Sequence, residues 1–393
     1  MAKPTLNIGL IGSGFMGRAH ADAFRRAELL YPALPATPRL HVLAERDAGL
    51  AEAAAGAFGF ARSTGDWRQL VEDPDIDVVD ITTPNNLHHE MALAAIAAGK
   101  HVYCEKPLAL TVAEASAMNA AAVAAGIKTM VAFNYIKAPG AKLARTLIAD
   151  GAIGRPIRFR GWFDQGFFSD PALPYSWRCS RAEAGSGALG DLGSHVISLA
   201  QYLMGGVDSV CASEQTIFTS RPMPGSGSGY AAKATSASEL RPVENEDQVQ
   251  CLVRFASGAA GVIEASRVAV GKVFGLAFEV SGTEGTILMD YERFNELKVA
   301  RLSDAKAERG FKTLLAGSQV PEFKAFFAFD YGGGGLGYYD VKMLEVIDLI
   351  AGICGDGDCF PNFAFGLDNQ RILAAADASL KSGAWETVDG RAA

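Results

Sequence analysis

An apolar run, Leu6–Ile11, ends in the cluster Gly12-Ser13-Gly14-Phe15-Met16-Gly17, and a helical pattern, Phe15–Ala27, begins inside that cluster. A strand that turns into a helix through GxGxxG has a narrow set of uses. The first glycine makes the tight turn, the second lets a pyrophosphate approach the backbone, and the third lets helix pack on strand. The free amides and positive dipole end of the helix then face the phosphates. The template is weak alone, and the chain matches it again at Gly185-Ser186-Gly187-Ala188-Leu189-Gly190. The segment before that second match, Arg178–Glu183, is too polar for a buried strand, so the cradle is assigned to Gly12, Gly14 and Gly17. A third cluster, Gly332–Gly335, has a loop context.

The segments after the first cluster support the assignment. Strands are expected at Leu40–Ala44, Val78–Thr82, His101–Cys104 and Lys128–Phe133. Helices are expected at Ala48–Phe58, Trp67–Val71 and Leu87–Ala98, and Thr111–Glu114 reads as a capping box opening another through Ala125. Apolar strands alternating with helices predict a doubly wound parallel sheet covered on both faces. After Asn134 the pattern changes to strands with short turns, at Pro156–Phe163, Asp247–Phe255, Ala259–Ala265, Phe274–Ser281, Thr286–Asp290 and Leu297–Ala300. Helices are expected at Ala188–Leu203, Tyr339–Ile353 and Leu367–Ser382. The fold class is therefore α/β: a nucleotide-binding domain over 1–133, then an α+β domain over 134–393 with a large, mainly antiparallel sheet. Thr219–Asn245, rich in Gly, Ser, Pro and Ala without apolar periodicity, reads as a long loop.

A length of 393 residues allows two cores. A net charge of −8 without a dense basic tract argues against nucleic acid or an acidic membrane as partner. No apolar stretch approaches the roughly 20 residues that cross a bilayer, and the N-terminus lacks a signal-peptide pattern. Six scattered cysteines form no CxxC pair, which fits free thiols in a reducing cytoplasm better than disulfides or structural zinc.

The cofactor reading has further residues. Glu45 ends the second strand, where a carboxylate binds the adenosine ribose and repels a 2′-phosphate, favouring NAD. It lies 33 positions after Gly12 rather than about 20, because Leu29–Arg39 is inserted. Arg46, beside it, suits a 2′-phosphate and leaves NADP open. Lys106 follows the strand His101–Cys104 at the carboxyl edge of the sheet, where ligands collect. An ammonium there can steady the alkoxide that develops as hydride leaves, although a surface lysine is the commoner fate. Asp191 and His195, four apart, share a helix face. They suit a proton relay, a helix-start aspartate beside an unrelated histidine, or two of the ligands of a metal for which no third is evident; no metal is expected.

GLIGSGFMGRAH, DITTPNNLHHE, GKHVYCEKPLA and GDLGSH, in that order, together resemble the Gfo/Idh/MocA oxidoreductases, from Leu6 to about Ile353. The resemblance implies a Rossmann domain that binds NAD or NADP through Gly12, Gly14, Phe15, Met16, Gly17, Glu45, Arg46, Thr83, Pro84, Asn85, Glu105 and Lys106. It implies that Lys106, Asp191 and His195 are catalytic, that the substrate is a sugar or polyol, and that chains form a homodimer or homotetramer through the open face of the C-terminal sheet. VAFNY, SWR, AGSGALGD, GTEGTI and GLGY are similar to members that oxidise C3 of a pyranose or anhydropyranose such as levoglucosan. They imply substrate contacts from Lys106, Tyr135, Gln165, Phe167, Arg178, Asp191, His195 and Tyr338. A departure falls at Gln165-Gly166-Phe167-Phe168, where Phe167 stands in place of a stacking Trp. Ordinary loop packing is the alternative for Gln165 and Phe167. Two other functions stay open on this framework: an NAD-dependent glycosidase acting by transient oxidation and elimination, and a non-catalytic sugar sensor.

Overall fold

The computed structural model describes residues 3–225, 238–318, 320–326, 335–355 and 357–390. In chain order, β1 (Thr5–Ile11), α1 (Phe15–Leu30), β2 (Thr37–Ala44), α2 (Ala48–Phe58), β3 (Arg62–Thr64), α3 (Trp67–Glu72), β4 (Val78–Ile81), α4 (His88–Ala97), β5 (His101–Cys104), α5 (Val112–Ala125) and β6 (Thr129–Val131) come first. Next come α6 (Pro139–Ala149), β7 (Pro156–Asp164), α7 (Arg181–Ala184), α8 (Ser194–Met204), β8 (Val207–Gln215), β9 (Ser220–Pro222) and β10 (Leu240–Pro242). The chain ends with β11 (Gln248–Phe255), β12 (Ala260–Ser266), β13 (Gly275–Gly282), β14 (Gly285–Asp290), β15 (Glu296–Arg301), β16 (Lys312–Leu315), α9 (Tyr338–Cys354), α10 (Phe363–Ser382) and β17 (Glu386–Thr387). Among the described residues no helix is long and apolar enough to cross a membrane.

These elements form two compact units, Met1–Lys137 with Gly337–Gln370, and Ala138–Leu336 with Arg371–Ala393. The first holds a six-stranded sheet in the order β3-β2-β1-β4-β5-β6, parallel throughout. Its order reverses between β1 and β4, the crevice where doubly wound sheets bind ligands. Ile8, Leu10 and Ile11 are buried, as a strand covered on both faces requires, and each such side chain contributes about 1.5–3 kcal/mol. The capping box forms in full: Thr111 Oγ1 accepts the Glu114 N–H at 3.2 Å while Glu114 Oε2 accepts the Thr111 N–H at 3.0 Å.

The return of Gly337–Gln370 to the first unit is not expressed by a linear division at residue 133. Its physical reason is a set of buried charges. Lys342 on α9 is 1% exposed and donates to Glu105 Oε1 at 2.9 Å, with Glu345 Oε2 at 3.2 Å. The Tyr103 hydroxyl donates to Glu345 Oε2 at 2.6 Å. His20, fully buried on α1, lies between Asp80 (2.9 Å) and Glu105 (3.0 Å). Burial alone would raise the Glu105 carboxyl, yet Lys342 and the His20 hydrogen bond hold it well below the ordinary carboxylate range. Burial also works against the His20 imidazolium, but Asp80 carries its pKa above the usual value.

The second unit holds a nine-stranded sheet in the order β16-β15-β14-β13-β7-β12-β11-β8-β17. Short turns between consecutive strands predict hairpins throughout, but β12 and β13 are not neighbours. β7 lies between them, parallel to β12 and antiparallel to β13, so the sheet is mixed though mostly antiparallel. β11 alternates buried and exposed positions from Val249 to Phe255, so one face lies in the core. Within Thr219–Asn245, β9 and β10 pair antiparallel, so the ends of the expected loop are zipped together; residues 226–237 and 332–334 of the expected loops lie outside the described residues.

Replacing Lys342 by Ala leaves two buried carboxylates without their shared cation. The expected loss is about 3–5 kcal/mol of unfolding free energy, read from urea unfolding of the variant against the parent chain.

Candidate active site

The first unit carries the residues of the cofactor reading. Gly12 has φ +99°, a left-handed conformation that glycine adopts freely, and its N–H donates to Ala44 O at 3.0 Å. A Cβ on Gly17 would stand 2.2 Å from Gly12 O, so the turn and the packing of α1 on β1 both require these residues. Gly14, by contrast, faces open space: a Cβ there would meet nothing within 4 Å. It is the N-cap of α1 without any side-chain cap bond, and the first turn holds no acidic residue. An uncapped helix start behind an open glycine fits a diphosphate. Phe15 (50% exposed) and half-buried Met16 border it.

Glu45 directly follows β2. Its Oε1 accepts both the N–H and the hydroxyl of Ser13 at 2.8 Å, and its Oε2 accepts the Arg46 N–H at 3.0 Å. The carboxylate thus also braces the glycine turn; exposed Arg46 follows it. Thr83, Pro84 and Asn85 leave β4 at the switch point, with Asn85 buried. Half-buried Lys106 follows Glu105, and its peptide bond to Pro107 is cis. The Glu105 side chain points elsewhere than toward a cofactor: Oε1 is taken by His20 and Lys342, and Oε2 accepts the Lys106 N–H at 3.1 Å. Tyr338, at the start of α9, donates its hydroxyl to Met16 Sδ at 3.5 Å, with its ring 6.1 Å from Phe15 and 6.3 Å from buried Tyr135. The structure therefore brings Tyr135 and Tyr338 together beside the glycine turn.

Sequence pattern alone assigns no role to His88, although it lies within the motif PNNLHHE. The buried ring sits between Pro107 O and Thr83 O, both 3.0 Å from a ring nitrogen, and so ties the turn after β5 to the one after β4. His20 and Lys342 are likewise absent from the expected site, because nothing local marks a charged residue as buried when its partner is far along the chain.

The second unit carries Arg178, Asp191, His195, Gln165 and Phe167. Leu189–Gly193 is a five-residue π turn that runs into α8, so Asp191 lies within a widened turn and His195 in the first turn of α8, rather than both in one regular helix. Such π turns recur at functional sites. His195 is 5% exposed, its ring 6.0 Å from that of Phe163 in a T-shaped contact. Arg178 Nε donates to Asp191 Oδ2 at 3.2 Å, and its guanidinium lies 4.4 Å from the Trp177 ring. The structure thus brings Arg178 and Asp191 together, with His195 four positions after Asp191 in the first turn of α8. Gln165 is held through its backbone, its N–H on Ser266 O at 2.8 Å and its C=O accepting the Ala269 N–H at 3.0 Å. Half-buried Phe167 packs on the cluster of Phe168, Tyr175 and Cys179, so loop packing accounts for at least part of its environment.

Comparisons with known proteins agree with this division. The model of the oxidoreductase family with an NAD-binding Rossmann fold matches residues 6–133, and that of the GFO/IDH/MocA C-terminal domain matches residues 141–288. Levoglucosan dehydrogenase of Pseudarthrobacter phenanthrenivorans is 43% identical over 390 residues, 97% of each chain. A solved levoglucosan dehydrogenase in complex with NADH and levoglucosan superposes with a TM-score of 0.92 at 42% identity, over 98% of this chain and all of that one. An NAD-binding oxidoreductase from Klebsiella pneumoniae gives a TM-score of 0.92 at 61% identity, again over 98% of this chain and all of its own. With both domains matched and kinship running the length of the molecule, the chain belongs to the Gfo/Idh/MocA family of NAD-binding oxidoreductases.

Proposed function

We propose that the protein oxidises a secondary ring hydroxyl of a neutral sugar, anhydrosugar or polyol to the ketone, at C3 of a levoglucosan-like pyranose. The observation that carries this is the Arg178–Asp191 ion pair, whose aspartate stands four positions before His195. Its two charges cancel, so what it offers a ligand is directed hydrogen bonding rather than net charge, which suits a polyol better than a carboxylate or phosphate substrate. The kinship with levoglucosan dehydrogenase supports the same substrate class.

Bound NAD supplies the hydride acceptor. Lys106 donates to the reacting hydroxyl and stabilises the negative charge that develops on its oxygen. His195 takes the hydroxyl proton as general base. Asp191, steadied by Arg178, accepts from a neighbouring substrate hydroxyl. Tyr135, Tyr338 and Gln165 contribute hydroxyl and amide groups, and Phe167 an apolar surface for the sugar ring. Glu45 meets the adenosine ribose, and NAD is preferred to NADP. Gly12, Gly14 and Gly17 hold the diphosphate with Phe15 and Met16 at its edge, and Thr83, Pro84, Asn85 and Glu105 line the approach to Lys106 through their backbone.

Self-association through the open sheet face belongs to this proposal. Leu252, Val262, Arg160, Glu279 and Leu288 form one cross-strand row, and Leu252 is 50% exposed. Six free cysteines favour a cytoplasmic setting.

Lys106→Ala and His195→Ala are expected to lower kcat for sugar oxidation by about 10²–10⁴-fold, with the Kd for NADH unchanged in His195→Ala. The checks are NADH absorbance during turnover on levoglucosan, glucose, myo-inositol and aryl glucosides, and fluorescence titration of NADH. Release of aglycone without NADH would instead indicate the glycosidase, and sugar binding without either product the sensor. Glu45→Gln is expected to narrow the NAD-over-NADP ratio of kcat/KM by about tenfold, the effect of about 1.4 kcal/mol of lost discrimination; an unchanged ratio would remove Glu45 from cofactor choice.

A further inference from the structure

The backbone of Arg178, and the amides that open the helical segment bearing Asp191, are anchored on adjacent residues of one buried strap. Asn245, Glu246 and Asp247 are 0%, 3% and 0% exposed, an unusual depth for three consecutive polar residues. Asn245 Nδ2 donates to Arg178 O at 3.0 Å. The Glu246 carboxylate accepts the Gly187 N–H through both oxygens and the Leu189 N–H through Oε1, all at 2.8 Å, while its C=O accepts the Ala188 N–H at 3.1 Å. Those are the amides that open the helical segment bearing Asp191, whose own N–H donates to Gly187 O at 3.0 Å. Glu244 extends the pattern, its N–H on Cys179 O at 2.9 Å and its Oε2 accepting the Arg181 N–H at 2.7 Å.

The strap is itself fixed. Asp247 Oδ1 accepts from Arg267 Nε at 2.9 Å, and Oδ2 accepts the N–H groups of Ile217 and Phe218 at 2.8 Å. Arg267, fully buried, also reaches Arg178 O and Asn245 O at 3.3 Å, and its guanidinium stacks 4.4 Å from the Phe168 ring. The fit leaves no slack: a Cβ on Gly187 would stand 1.9 Å from Glu246 O.

We infer that Asn245 and Glu246 are positioning residues, setting the distance between the Arg178 guanidinium and the Asp191 carboxylate and, through the helix start, the placement of His195. This rests on the proposed dehydrogenase activity, in which Arg178, Asp191 and His195 meet the substrate. Neither positioning residue need touch substrate. Each holds a backbone group whose shift would misplace a substrate contact, and misplacement by about 1 Å costs up to about 10²-fold in rate.

The test combines amide exchange with kinetics. In Glu246→Gln, where an NH₂ group faces an N–H it cannot accept, exchange in the peptide over 187–195 should quicken at least about tenfold, with the first unit's sheet unchanged. In Asn245→Ala, kcat/KM for sugar should fall about 10- to 100-fold while the Kd for NADH holds. In an Arg178→Ala background the further loss from Asn245→Ala should shrink below about twofold, since a residue acting through Arg178 has nothing left to position. Unchanged exchange in Glu246→Gln, or a loss from Asn245→Ala that persists in the Arg178→Ala background, overturns the inference while the dehydrogenase reading stands. A parent chain that oxidises no sugar at all removes that reading and the positioning role with it.

Discussion

A carboxylate buried in protein is stable as an anion only where cations and donors are built around it, and Glu105 is such a group. It stands directly before Lys106, at the carboxyl edge of β5. Its partners come from three places: His20 on α1, Lys342 on α9 and the Lys106 N–H. Breaking any of these leaves charge in a low-dielectric interior, so the arrangement tolerates few alternatives. The consequence for topology is that α9, whose Lys342 lies 237 positions after Glu105, belongs with the first unit. The consequence for chemistry is that the backbone of Lys106 leaves the sheet in one direction only. The hydrophobic core makes the first unit stable, and this network fixes the backbone at the amide of Lys106.

The second unit meets a comparable demand differently. Arg178 and Asp191 carry opposite charges and are each only partly buried, with about a fifth of each side chain exposed, so their mutual attraction is worth little in itself. What makes the pair precise is the backbone on either side. The π turn offsets Asp191 from the regular rise of α8, and the bonds along Glu244–Glu246 hold the turn open from outside the helix. Order at a partly wet ion pair is thereby drawn from dry hydrogen bonds one layer behind it, where each is electrostatically stronger.

Local patterns made much of the first unit readable. β1, α1, α2, β5 and α5 have near-matching bounds because an apolar run, a capping box or a glycine stop marks each one within a few residues. β3 escaped because Arg62–Thr64 is a three-residue edge strand with no buried position. β8 escaped because its second half is polar and exposed. In the second unit the strands were legible from their alternation, but their pairing was not. β7 ends at Asp164, while the two strands that flank it begin only at Ala260 and Gly275, and no local signal encodes so distant a pairing. The site divides in the same way. Gly12, Glu45, Lys106, Asp191 and His195 are recognisable as types at fixed spacings. His20, Lys342, Asn245 and Glu246 look like surface residues until their distant partners are known.

The two GxGxxG segments show how the same letters solve different physical problems. At Gly14 the missing Cβ leaves open space, and the helix behind it begins without any side chain on its first amides. At Gly187 the missing Cβ leaves room for the Glu246 backbone, and the Glu246 carboxylate takes the amides that open the helix. A helix start capped by the protein's own anion has already used its free donors and its dipole end. One left bare behind an open glycine can still receive a phosphate. The strand that must precede a nucleotide cradle is therefore more than a sequence convention. It ends the chain's own coverage of the helix start, whereas a polar approach such as Arg178–Glu183 brings in the residues that cap it. The first glycine segment is where the fold withholds an anion of its own, and the second is where it supplies one.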